Sequence, residues 1–535
     1  MKIISHRNSL VALALLSLTI ILILFIWLGT NKTHAPNDGT FPITDNELHY
    51  GVSAGSPLAV EVGMKVLENG GNAVDAAIAV SYALGVVQPY GSGIGGGGAM
   101  LIYPNDKKPP TFYDYQGVSP ASGEVPQGYA AVPGFVLAME QIHNDFGSVS
   151  MGKLIEPSIK FAEDGFRVDS TFGKIIAASK QKLFNAKSSI YYNYGALPGE
   201  GMLLKQPELA LTLEKIQTEG SVAFYKGAIA KTIVASIKGL ALSDLSDYTV
   251  NQTTPASSKY GEYEVVSAPP PFGGITLIQI LMMAEKLKIE NLETDAGNLE
   301  TINHIINAVY YKRLKTIADP AFSVIDNDKL VSPEFIDQMI LDLKKNQSYV
   351  STDNEDTTHF VIIDKEGMMV SCTNSLSSLF GSGIYTGGFF LNNHLKNFSQ
   401  DPKSLNRWEA GKRPRSYMSP TIIALDGHPI LGIGTPGGNR IPTFLAQILI
   451  NVLKNGEDPQ TAIDAPRFYI RGNSLIYEPN LSDKLLTNLK KNGIRVTYDR
   501  SFLNFGAVNC LYYEPATGTI QGGADKRRGG SWSSK

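Results

Sequence analysis

The fold is decided by the stretch Asp356-Thr357-Thr358-His359-Phe360-Val361-Ile362-Ile363-Asp364, in which a polar run ends and an apolar, β-branched segment begins on two threonines. Residues 360–363 are predicted to be a strand that turns at Asp364 and pairs with residues 368–372 in a hairpin. Residues 344–356 contain almost no apolar side chain and are predicted to form a surface loop. A loop therefore meets a buried strand at the two threonines.

Thr357 is a candidate nucleophile because of its place at this junction. If the peptide bond before it were cut, the new α-amine would lie beside the threonine hydroxyl. One residue would then hold both a nucleophile and a general base of suitable pKa. This is the N-terminal-threonine form of nucleophilic catalysis. Taken alone, the stretch favours an ordinary buried strand start, and the rest of the chain decides between the two interpretations.

Composition excludes several classes of protein. The 535 residues include 47 Lys and Arg against 50 Asp and Glu, so a net charge of −3 gives no general attraction to nucleic acid. Two cysteines, Cys372 and Cys510, exclude a disulfide scaffold and a Cys-rich metal site. Two free thiols are favoured over one bridge. No cofactor and no metal are expected, and the length allows one large layered α/β domain.

The N-terminus predicts attachment to a membrane. Residues 10–28 form an uncharged apolar run, preceded by Lys2 and Arg7, that is long enough to cross a bilayer as a helix. The run is longer than a typical cleavable signal region of about 7–15 residues. Residues 1–30 are therefore predicted to be an uncleaved signal anchor, with secretion as the alternative if the segment is removed. Residues 31–48 are predicted to be a flexible stalk that places the remainder outside a bacterial cell.

Apolar periodicity predicts helices along the rest of the chain. The predicted helices are 57–69, 72–87, 154–165, 206–220, 229–238, 275–287 and 301–318, with a further helix beginning near Pro442. No motif between residues 133 and 343 indicates a catalytic or metal-binding role.

Two glycine-rich stretches flank these elements. Ser92-Gly93-Ile94-Gly95-Gly96-Gly97-Gly98 lacks the Lys-Ser/Thr of a phosphate-binding loop and leads into a strand, so close backbone packing is favoured. Gly434-Thr435-Pro436-Gly437-Gly438-Asn439-Arg440 leads instead into a helix. Backbone N–H groups at such a diglycine are unobstructed, and the helix dipole there favours negative charge. An oxyanion hole has this arrangement, although the stretch alone also fits an ordinary tight turn.

Together these stretches resemble the γ-glutamyltranspeptidase family of N-terminal-nucleophile hydrolases, over residues 51–528. The segments that carry the resemblance are Pro57-Leu58-Ala59, Gly70-Gly71-Asn72-Ala73-Val74-Asp75-Ala76-Ala77, the loop 92–98, Thr357-Thr358-His359, Leu391-Asn392-Asn393, Met418-Ser419-Pro420 and the stretch 434–440. The resemblance implies an α/β fold, a four-layer αββα sandwich. It also implies self-cleavage into a large subunit, 49–356, and a small subunit, 357–535, that stay associated.

The resemblance assigns roles to five residues. It makes Thr357 the nucleophile and, through its freed amine, the base. It makes Gly437 and Gly438 the oxyanion donors. The hydroxyl that supports the nucleophile falls on Ser375, where the family more often has threonine. The group that contacts the donor falls on Ser377, where the family has an amide.

Three departures bear on the substrate. Gln116 stands where the family has an arginine that clamps the donor α-carboxylate, Asn397 stands where an acid holds a free α-amine, and Ser416-Tyr417 replaces a serine pair. A neutral amide forms no charge-assisted bond with an ammonium group. An interior residue of a γ-linked glutamate polymer has an amide at that place. The loop 400–411 is also too short to form the lid of glutathione-cleaving members.

These departures, with the membrane segment and the basic run Lys526-Arg527-Arg528, resemble the capsule branch of the family. Members of that branch cut poly-γ-glutamate and transfer the fragment to the cell wall. Because arginine forks pair with carboxylates, Arg415 or Arg527 is expected to replace the missing arginine. The predicted function is an autoprocessing γ-glutamyl acyltransferase or hydrolase. Its donor is γ-linked polyglutamate, and its acceptor is water or a cell-wall amine such as one of peptidoglycan.

Three alternatives stay open from the sequence. The first is a γ-glutamyltranspeptidase or glutathione hydrolase acting on small γ-glutamyl amides. The second is a cephalosporin-acylase-like enzyme. The third belongs to another class, a non-catalytic surface-binding protein on the same scaffold, which a failure to self-cleave would favour.

Overall fold

The computed structural model describes residues 49–186, 190–191, 197–292, 294–343, 356–472 and 474–535. The predicted anchor, the whole predicted stalk and residues 344–355 of the predicted loop lie outside the described residues. Asp356 already belongs to a strand. Among the described residues, none of the helices combines the length and the apolar character that crossing a membrane requires.

The strands follow one another along the chain in short segments. In order they are β1 (Gly51–Ala54), β2 (Gly97–Tyr103), β3 (Thr111–Asp114), β4 (Phe166–Arg167), β5 (Leu203–Leu204), β6 (Asn251–Thr253), β7 (Ala256–Tyr260), β8 (Tyr263–Ser267), β9 (Asp356–Ile363), β10 (Met369–Ser377), β11 (Tyr385–Thr386), β12 (Phe389–Phe390), β13 (Thr421–Leu425), β14 (His428–Gly434), β15 (Phe468–Arg471), β16 (Ser474–Tyr477), β17 (Arg495–Tyr498), β18 (Asn509–Glu514), β19 (Thr519–Ala524) and β20 (Ser531–Ser534).

Two large antiparallel sheets built from these described strands pack face to face. The first has the order β20-β1-β9-β10-β2-β3-β6 and the second has the order β19-β18-β14-β13-β8-β7. Val361 and Met369 of the first sheet share an apolar layer with Ile422 and Leu511 of the second. Alternate residues such as Phe360 point to the other side of the first sheet and join a different core. The β-branched run after the two threonines therefore forms a strand buried on both faces.

Helices cover the outer face of each sheet. They are α1 (Pro57–Glu68), α2 (Ala73–Val87), α3 (Phe135–Phe146), α4 (Met151–Asp164), α5 (Ser170–Ala178), α6 (Lys180–Asn185), α7 (Pro207–Glu219), α8 (Ser221–Tyr225), α9 (Ala228–Ser236), α10 (Leu242–Ser246), α11 (Gly274–Lys286), α12 (Ala296–Thr316), α13 (Asn327–Leu330), α14 (Pro333–Asp342), α15 (Ile441–Leu449), α16 (Pro459–Asp464) and α17 (Asp483–Lys491). The helices α1 to α4 pack on the first sheet, and α11, α12 and α15 pack on the second. The predicted four-layer αββα sandwich is confirmed.

The predicted helices are all present, with boundaries that differ by a few residues. The largest difference is at α12, which begins at Ala296 instead of residue 301. The carboxylate of Asp295 accepts hydrogen bonds from the N–H groups of Gly297 and Asn298, and this cap starts the helix early.

The predicted hairpin is confirmed as β9 and β10. Asp364 closes its turn, because the Asp364 carboxylate accepts hydrogen bonds from the backbone N–H groups of Glu366 and Met368. The second carboxylate oxygen accepts from the N–H of Ala73 at the start of α2, at 2.8 Å. Burial raises the pKa of Asp364 to about 6. The hairpin is thus fixed to the helix layer at the end remote from Thr357.

The glycine-rich loop before β2 serves close backbone packing, as predicted. A Cβ atom on Gly96 would overlap the carbonyl oxygen of Ser375, and one on Gly97 would overlap that of Tyr115. A Cβ on Gly98 would lie 2.5 Å from the carbonyl oxygen of Thr373. Only glycine lets these backbones approach so closely. The loop is thereby pressed against β10, directly beside Thr357.

Candidate active site

Thr357 is buried in β9, with 3% of its surface exposed. The chain is continuous through the Asp356–Thr357 bond, so the structure corresponds to an uncut chain. Thr357 lies opposite Ser375 of β10 in the antiparallel register. A Cβ on Gly91 would lie 3.2 Å from the Thr357 carbonyl oxygen, so the loop at Gly91 packs closely on the Thr357–Thr358 peptide bond. The N–H of Leu376 donates to the Gly91 carbonyl at 2.9 Å and holds the loop there.

A β-bulge lies opposite the Asp356–Thr357 bond. Thr357 pairs with Ser375, but Asp356 pairs with Ser377, so Leu376 is the extra residue. Ser377 has a φ of 75°, a left-handed conformation that costs free energy for a residue with a side chain. Its N–H donates to the Ser375 hydroxyl at 2.8 Å. The fold therefore brings Ser375 and Ser377 to the bond that the sequence predicts to be cut.

The diglycine turn lies between β14 and α15. Gly437 has a φ of 145° and Gly438 a φ of 59°, and both values favour glycine. The Gly437 carbonyl accepts hydrogen bonds from the backbone N–H of Arg440 at 3.2 Å and from its Nε at 2.9 Å. With its carbonyl turned towards Arg440, the turn has a fixed orientation beside the cleft at Thr357.

That cleft is small, and seven of the ten residues that line it have side chains with a polar group. Its lining residues are Gly55, Gln88, Tyr90, Thr357, Thr358, His359, Pro436, Ala507, Asn509 and Arg528. Pro436 places the diglycine turn at its edge. Asn509 donates from Nδ2 to the His359 carbonyl at 3.0 Å and joins β18 to β9 at this point. A nucleophile candidate, the edge of the diglycine turn and one arginine thus border a single cleft.

Arg528 is the cationic residue of this cleft, and the sequence indicated it only as part of a basic run. Its side chain is buried and donates to the carbonyl of Leu503. It comes to this cleft because β20, which follows it in the chain, pairs with β1, and β1 in turn pairs with β9. The pairing of the C-terminal strand could not be read from local pattern, so the sequence did not indicate that Arg528 borders this cleft.

Arg527, which the sequence predicts to bind substrate, forms ion pairs and hydrogen bonds within the protein. Its Nε lies 2.5 Å from Glu478 Oε1 and its Nη1 lies 3.2 Å from Asp525 Oδ1. The same guanidinium donates to the carbonyls of Ile463 and Ala465. These contacts hold the Arg527 side chain in place, and Arg527 is not among the residues that line the cleft.

Gln116 and Arg415 occupy a loop junction. Gln116 is fully buried, and its Nε2 donates to the Pro414 carbonyl at 2.8 Å. The backbone N–H of Arg415 donates to Asn406 Oδ1 at 2.8 Å, and its Nη1 donates to the Arg313 carbonyl at 3.3 Å. Gln116 therefore holds the backbone of the segment that carries Arg415.

The remaining predicted donor residues lie in the same segment or close to it. Ser416 donates from its N–H to the Pro271 carbonyl at 3.1 Å. Tyr417 is buried, with the Arg313 guanidinium carbon 4.5 Å from its ring centroid. Asn397 is half-buried, and its carbonyl accepts from Asn406 Nδ2 at 2.6 Å. None of these residues lines the small cleft at Thr357.

His359, two residues after the nucleophile candidate, is buried against Gly434. Its Nδ1 is 2.9 Å from the Thr373 hydroxyl. Burial lowers the pKa of His359 to about 3, and burial lowers the pKa of His394 to about 4. Both imidazoles are therefore neutral at physiological pH. Among the described residues, no group of His, Cys, Asp and Glu side chains has an arrangement that could hold a metal ion.

The contribution of His359 and His394 to folding stability is expected to fall as the pH drops from about 6.5 towards 4. In that range the unfolded histidines take up a proton while His359 and His394 stay neutral, so the unfolded state binds more protons. Each such histidine contributes a slope of about 1.4 kcal/mol per pH unit near pH 5. His359→Asn should make the slope of unfolding free energy against pH shallower by about that amount, measured by urea unfolding. A slope as steep as that of the parent in His359→Asn would contradict the burial of a neutral imidazole at this position.

Known proteins match this chain over most of its length. The sequence profile described as Gamma-glutamyltranspeptidase matches residues 59–534. The chain is 43% identical over 489 residues to the capsule biosynthesis protein CapD proenzyme of Bacillus anthracis, covering 91% of this chain and 90% of that protein. It is 32% identical over 532 residues to the glutathione hydrolase proenzyme of Bacillus subtilis, covering 90% of each. The structure of a cephalosporin acylase from Bacillus halodurans matches with a TM-score of 0.82 at 25% identity, covering 94% of this chain and 99% of that chain.

Proposed function

The chain belongs to the gamma-glutamyltranspeptidase family, and from that premise we propose that it cuts itself before Thr357 and then transfers γ-glutamyl groups from a γ-linked polyglutamate chain. The enzyme class is that of a γ-glutamyl transferase or hydrolase. The observation that carries the proposal is the position of Thr357 near the start of β9, opposite the bulge of β10, in one cleft with Arg528 and the edge of the diglycine turn.

Maturation begins with attack of the Thr357 hydroxyl on the Asp356 carbonyl carbon. The peptide C–N bond breaks as the ester C–O bond forms, and the proton of the hydroxyl passes to the departing nitrogen, which becomes the Thr357 α-amine. Water then hydrolyses the ester, which frees the Thr357 hydroxyl and leaves Asp356 as a carboxylate. The large subunit, 49–356, and the small subunit, 357–535, stay joined because β9 remains between β1 and β10.

Turnover uses the same hydroxyl with the freed amine as its base. Thr357 attacks the γ-glutamyl amide carbonyl, the N–H groups of Gly437 and Gly438 stabilise the oxyanion, and the amine leaves with the proton. Ser375 supports the nucleophile from the neighbouring strand. Water or an amine then attacks the acyl-enzyme and restores Thr357.

The choice of a polymer as donor rests on charge. Neither Gln116 nor Asn397 can supply the charged contacts that a free glutamyl α-carboxylate and α-ammonium require, whereas an interior residue of the polymer has no ammonium. Arg528, at the cleft, is proposed to bind its carboxylate. The 43% identical relative is a capsule biosynthesis protein, which supports this donor. The 32% identical glutathione hydrolase supports small γ-glutamyl amides as the second candidate.

The setting of the reaction is proposed from the N-terminal segment. Residues 1–30 would anchor the enzyme in the cell membrane with the remainder at the bacterial cell surface. The acceptor amine would then be one of the cell wall, such as an amine of peptidoglycan, and the transfer would attach capsule to it.

The donor is tested by comparing poly-γ-glutamate with glutathione as substrates of the purified, self-cleaved protein. The polymer is expected to have a kcat/KM at least tenfold higher, because it does not require recognition of an ammonium group. Arg528→Gln is expected to raise KM for the polymer, while Lys526→Gln, at an exposed neighbour, should not. Preference for glutathione would move the function to the second candidate, and an unchanged KM in Arg528→Gln would contradict the role of this arginine.

Self-cleavage is expected to depend on the backbone of Ser377 more than on its hydroxyl. Ser377→Val places a β-branched residue at a φ of 75° and is expected to slow cleavage at least tenfold, since such a residue resists the left-handed conformation. Ser377→Gly accepts the conformation freely and should cleave as fast as the parent, with Ser377→Ala close to it. The rates are followed by intact mass. Equal rates for the Val and Ala variants would contradict a role for the bulge.

A further inference from the structure

Helix α12 contacts the diglycine turn through the side chain of Tyr310. This tyrosine is buried, with 2% of its surface exposed. Its hydroxyl donates a hydrogen bond to the carbonyl of Asn439, the residue that follows the two glycines. Burial raises the pKa of Tyr310, so the hydroxyl keeps its proton at neutral pH and can act as a donor. A buried hydrogen bond therefore ties α12 to the turn.

The single hydrogen of this phenol is committed to Asn439. A carbonyl oxygen can only accept, so Tyr310 is the donor in that bond. The hydroxyl of Thr443 lies 3.2 Å from the Tyr310 oxygen and is therefore the donor in the second bond. Thr443 belongs to α15, the helix that follows the turn. Two hydrogen bonds thus fix the Tyr310 hydroxyl between the turn and its helix.

The bond from Tyr310 sets the direction of one peptide group in the turn. The peptide bond between Asn439 and Arg440 is trans, so its C=O and its N–H point to opposite sides. The C=O accepts from Tyr310. The N–H, which is that of Arg440, donates to the Gly437 carbonyl at 3.2 Å. Both ends of this peptide group are therefore held.

The Gly437 carbonyl belongs to a second peptide group, which joins Gly437 to Gly438. This peptide bond is also trans, and its N–H is that of Gly438, a predicted oxyanion donor. Because the carbonyl is held towards Arg440, the Gly438 N–H points to the opposite side. The direction of an oxyanion donor is thus set through two peptide groups, beginning at Tyr310.

The ring of Tyr310 packs independently of its hydroxyl. It stacks on the ring of Tyr417, with 5.8 Å between centroids and 18° between planes. Tyr417 is also covered by the guanidinium of Arg313, which is on the same helix as Tyr310. Phenylalanine keeps the stacked ring. Tyr310→Phe therefore removes the two hydrogen bonds and leaves the packing in place.

We propose that Tyr310 is a positioning residue for the oxyanion turn, and that its hydroxyl holds the Gly438 N–H in the direction that the transition state requires. The inference rests on the proposed function, since it concerns the oxyanion donors of the same site. It also gives the large subunit a part in turnover. Tyr310 lies within residues 49–356, whereas Thr357 and both glycines lie within residues 357–535.

The test measures initial rates over a range of poly-γ-glutamate concentrations with the full-length, self-cleaved protein. In Tyr310→Phe, kcat is expected to fall about tenfold with KM unchanged, because the oxyanion exists only in the transition state. The loss is smaller than that from displacing the turn itself, since Nε of Arg440 also donates to the Gly437 carbonyl, at 2.9 Å. Rates are divided by the self-cleaved fraction from intact mass.

Tyr225→Phe is the matched control. Tyr225 is also buried, and its hydroxyl also donates to a backbone carbonyl, that of Pro133, at 2.9 Å. It lies in the core of the first sheet, whereas Tyr310 lies in the core of the second. Urea unfolding should show a similar loss of stability in the two variants, but only Tyr310→Phe should lose kcat. Equal losses of kcat would assign the effect to stability and overturn the proposal.

A double variant tests whether Tyr310 acts through the turn. Gly437→Ala displaces the turn, so little remains for the Tyr310 hydroxyl to hold. The kcat of Tyr310→Phe/Gly437→Ala should therefore be close to that of Gly437→Ala alone. A combined loss equal to the product of the two single losses would overturn the proposal, and so would a parent-like kcat in Tyr310→Phe. A self-cleaved parent that turns over neither poly-γ-glutamate nor glutathione would instead refute the proposed function.

Discussion

Thr357→Ala is expected to leave the protein as one uncut chain and to lower the turnover of any γ-glutamyl donor by roughly 10⁴- to 10⁶-fold. The change removes the hydroxyl that attacks Asp356 during maturation and the donor during turnover. Without maturation the α-amine is also never freed, so the nucleophile and its base are lost together. The size of the effect follows from this double role.

The neighbouring threonine is the matched control for this prediction. Thr358 lines the same cleft and is equally buried, with 3% of its surface exposed. Its hydroxyl has no hydrogen-bond partner among the described residues. Thr358→Ala should therefore cleave itself and turn over substrate at close to the parent rate. Intact mass should give a small fragment that begins at Thr357 in the parent and in Thr358→Ala, but not in Thr357→Ala. A fragment beginning elsewhere would contradict the assignment of the nucleophile.

Local patterns predicted the framework of the site well. The hairpin β9–β10 was predicted from a β-branched run and a turn. Close backbone packing of the glycine loop was predicted because the loop lacks phosphate-binding residues and leads into a strand. These features depend on neighbours in sequence. Each was therefore readable from the residues before the structure was considered.

The roles of the two C-terminal arginines depend instead on distant contacts. Arg527 and Arg528 lie in one short turn, Lys526–Arg528, and adjacent residues there point in different directions. Arg527 pairs with Glu478, which directly follows β16, whereas Arg528 lines the cleft. Residue type alone cannot distinguish them, because both carry the same charge and only tertiary packing assigns their partners.

Backbone conformation was the other feature that the sequence did not predict. Serine gives no signal for a left-handed φ, so the bulge at Ser377 was not predicted. The bond from Gln116 to Pro414 joins residues 298 positions apart, and no local pattern indicates it. The departures from the family pattern at these positions were visible in the sequence, but their physical consequences were not.

Gly437→Ala is expected to lower kcat about 10²-fold with little change in KM. At a φ of 145° an alanine is strained, and relief of that strain rotates the N–H groups of the turn away from the oxyanion. The oxyanion exists only in the transition state, so the loss appears in kcat and not in substrate binding. The rate should be divided by the self-cleaved fraction from intact mass, because the same turn could also serve maturation.

A control variant must distinguish the effect of backbone strain in Gly437→Ala from the effect of losing the oxyanion donors. Gly427, in the turn between β13 and β14, also has a positive φ, 81°, and a Cβ there would meet nothing within 4 Å. Gly427→Ala therefore carries a similar backbone penalty of about 1–3 kcal/mol at a site remote from Thr357. Urea unfolding should show similar destabilisation in both variants, but only Gly437→Ala should lose kcat. Equal losses of kcat would assign the effect to stability, and a normal kcat in Gly437→Ala would remove the diglycine turn from the mechanism.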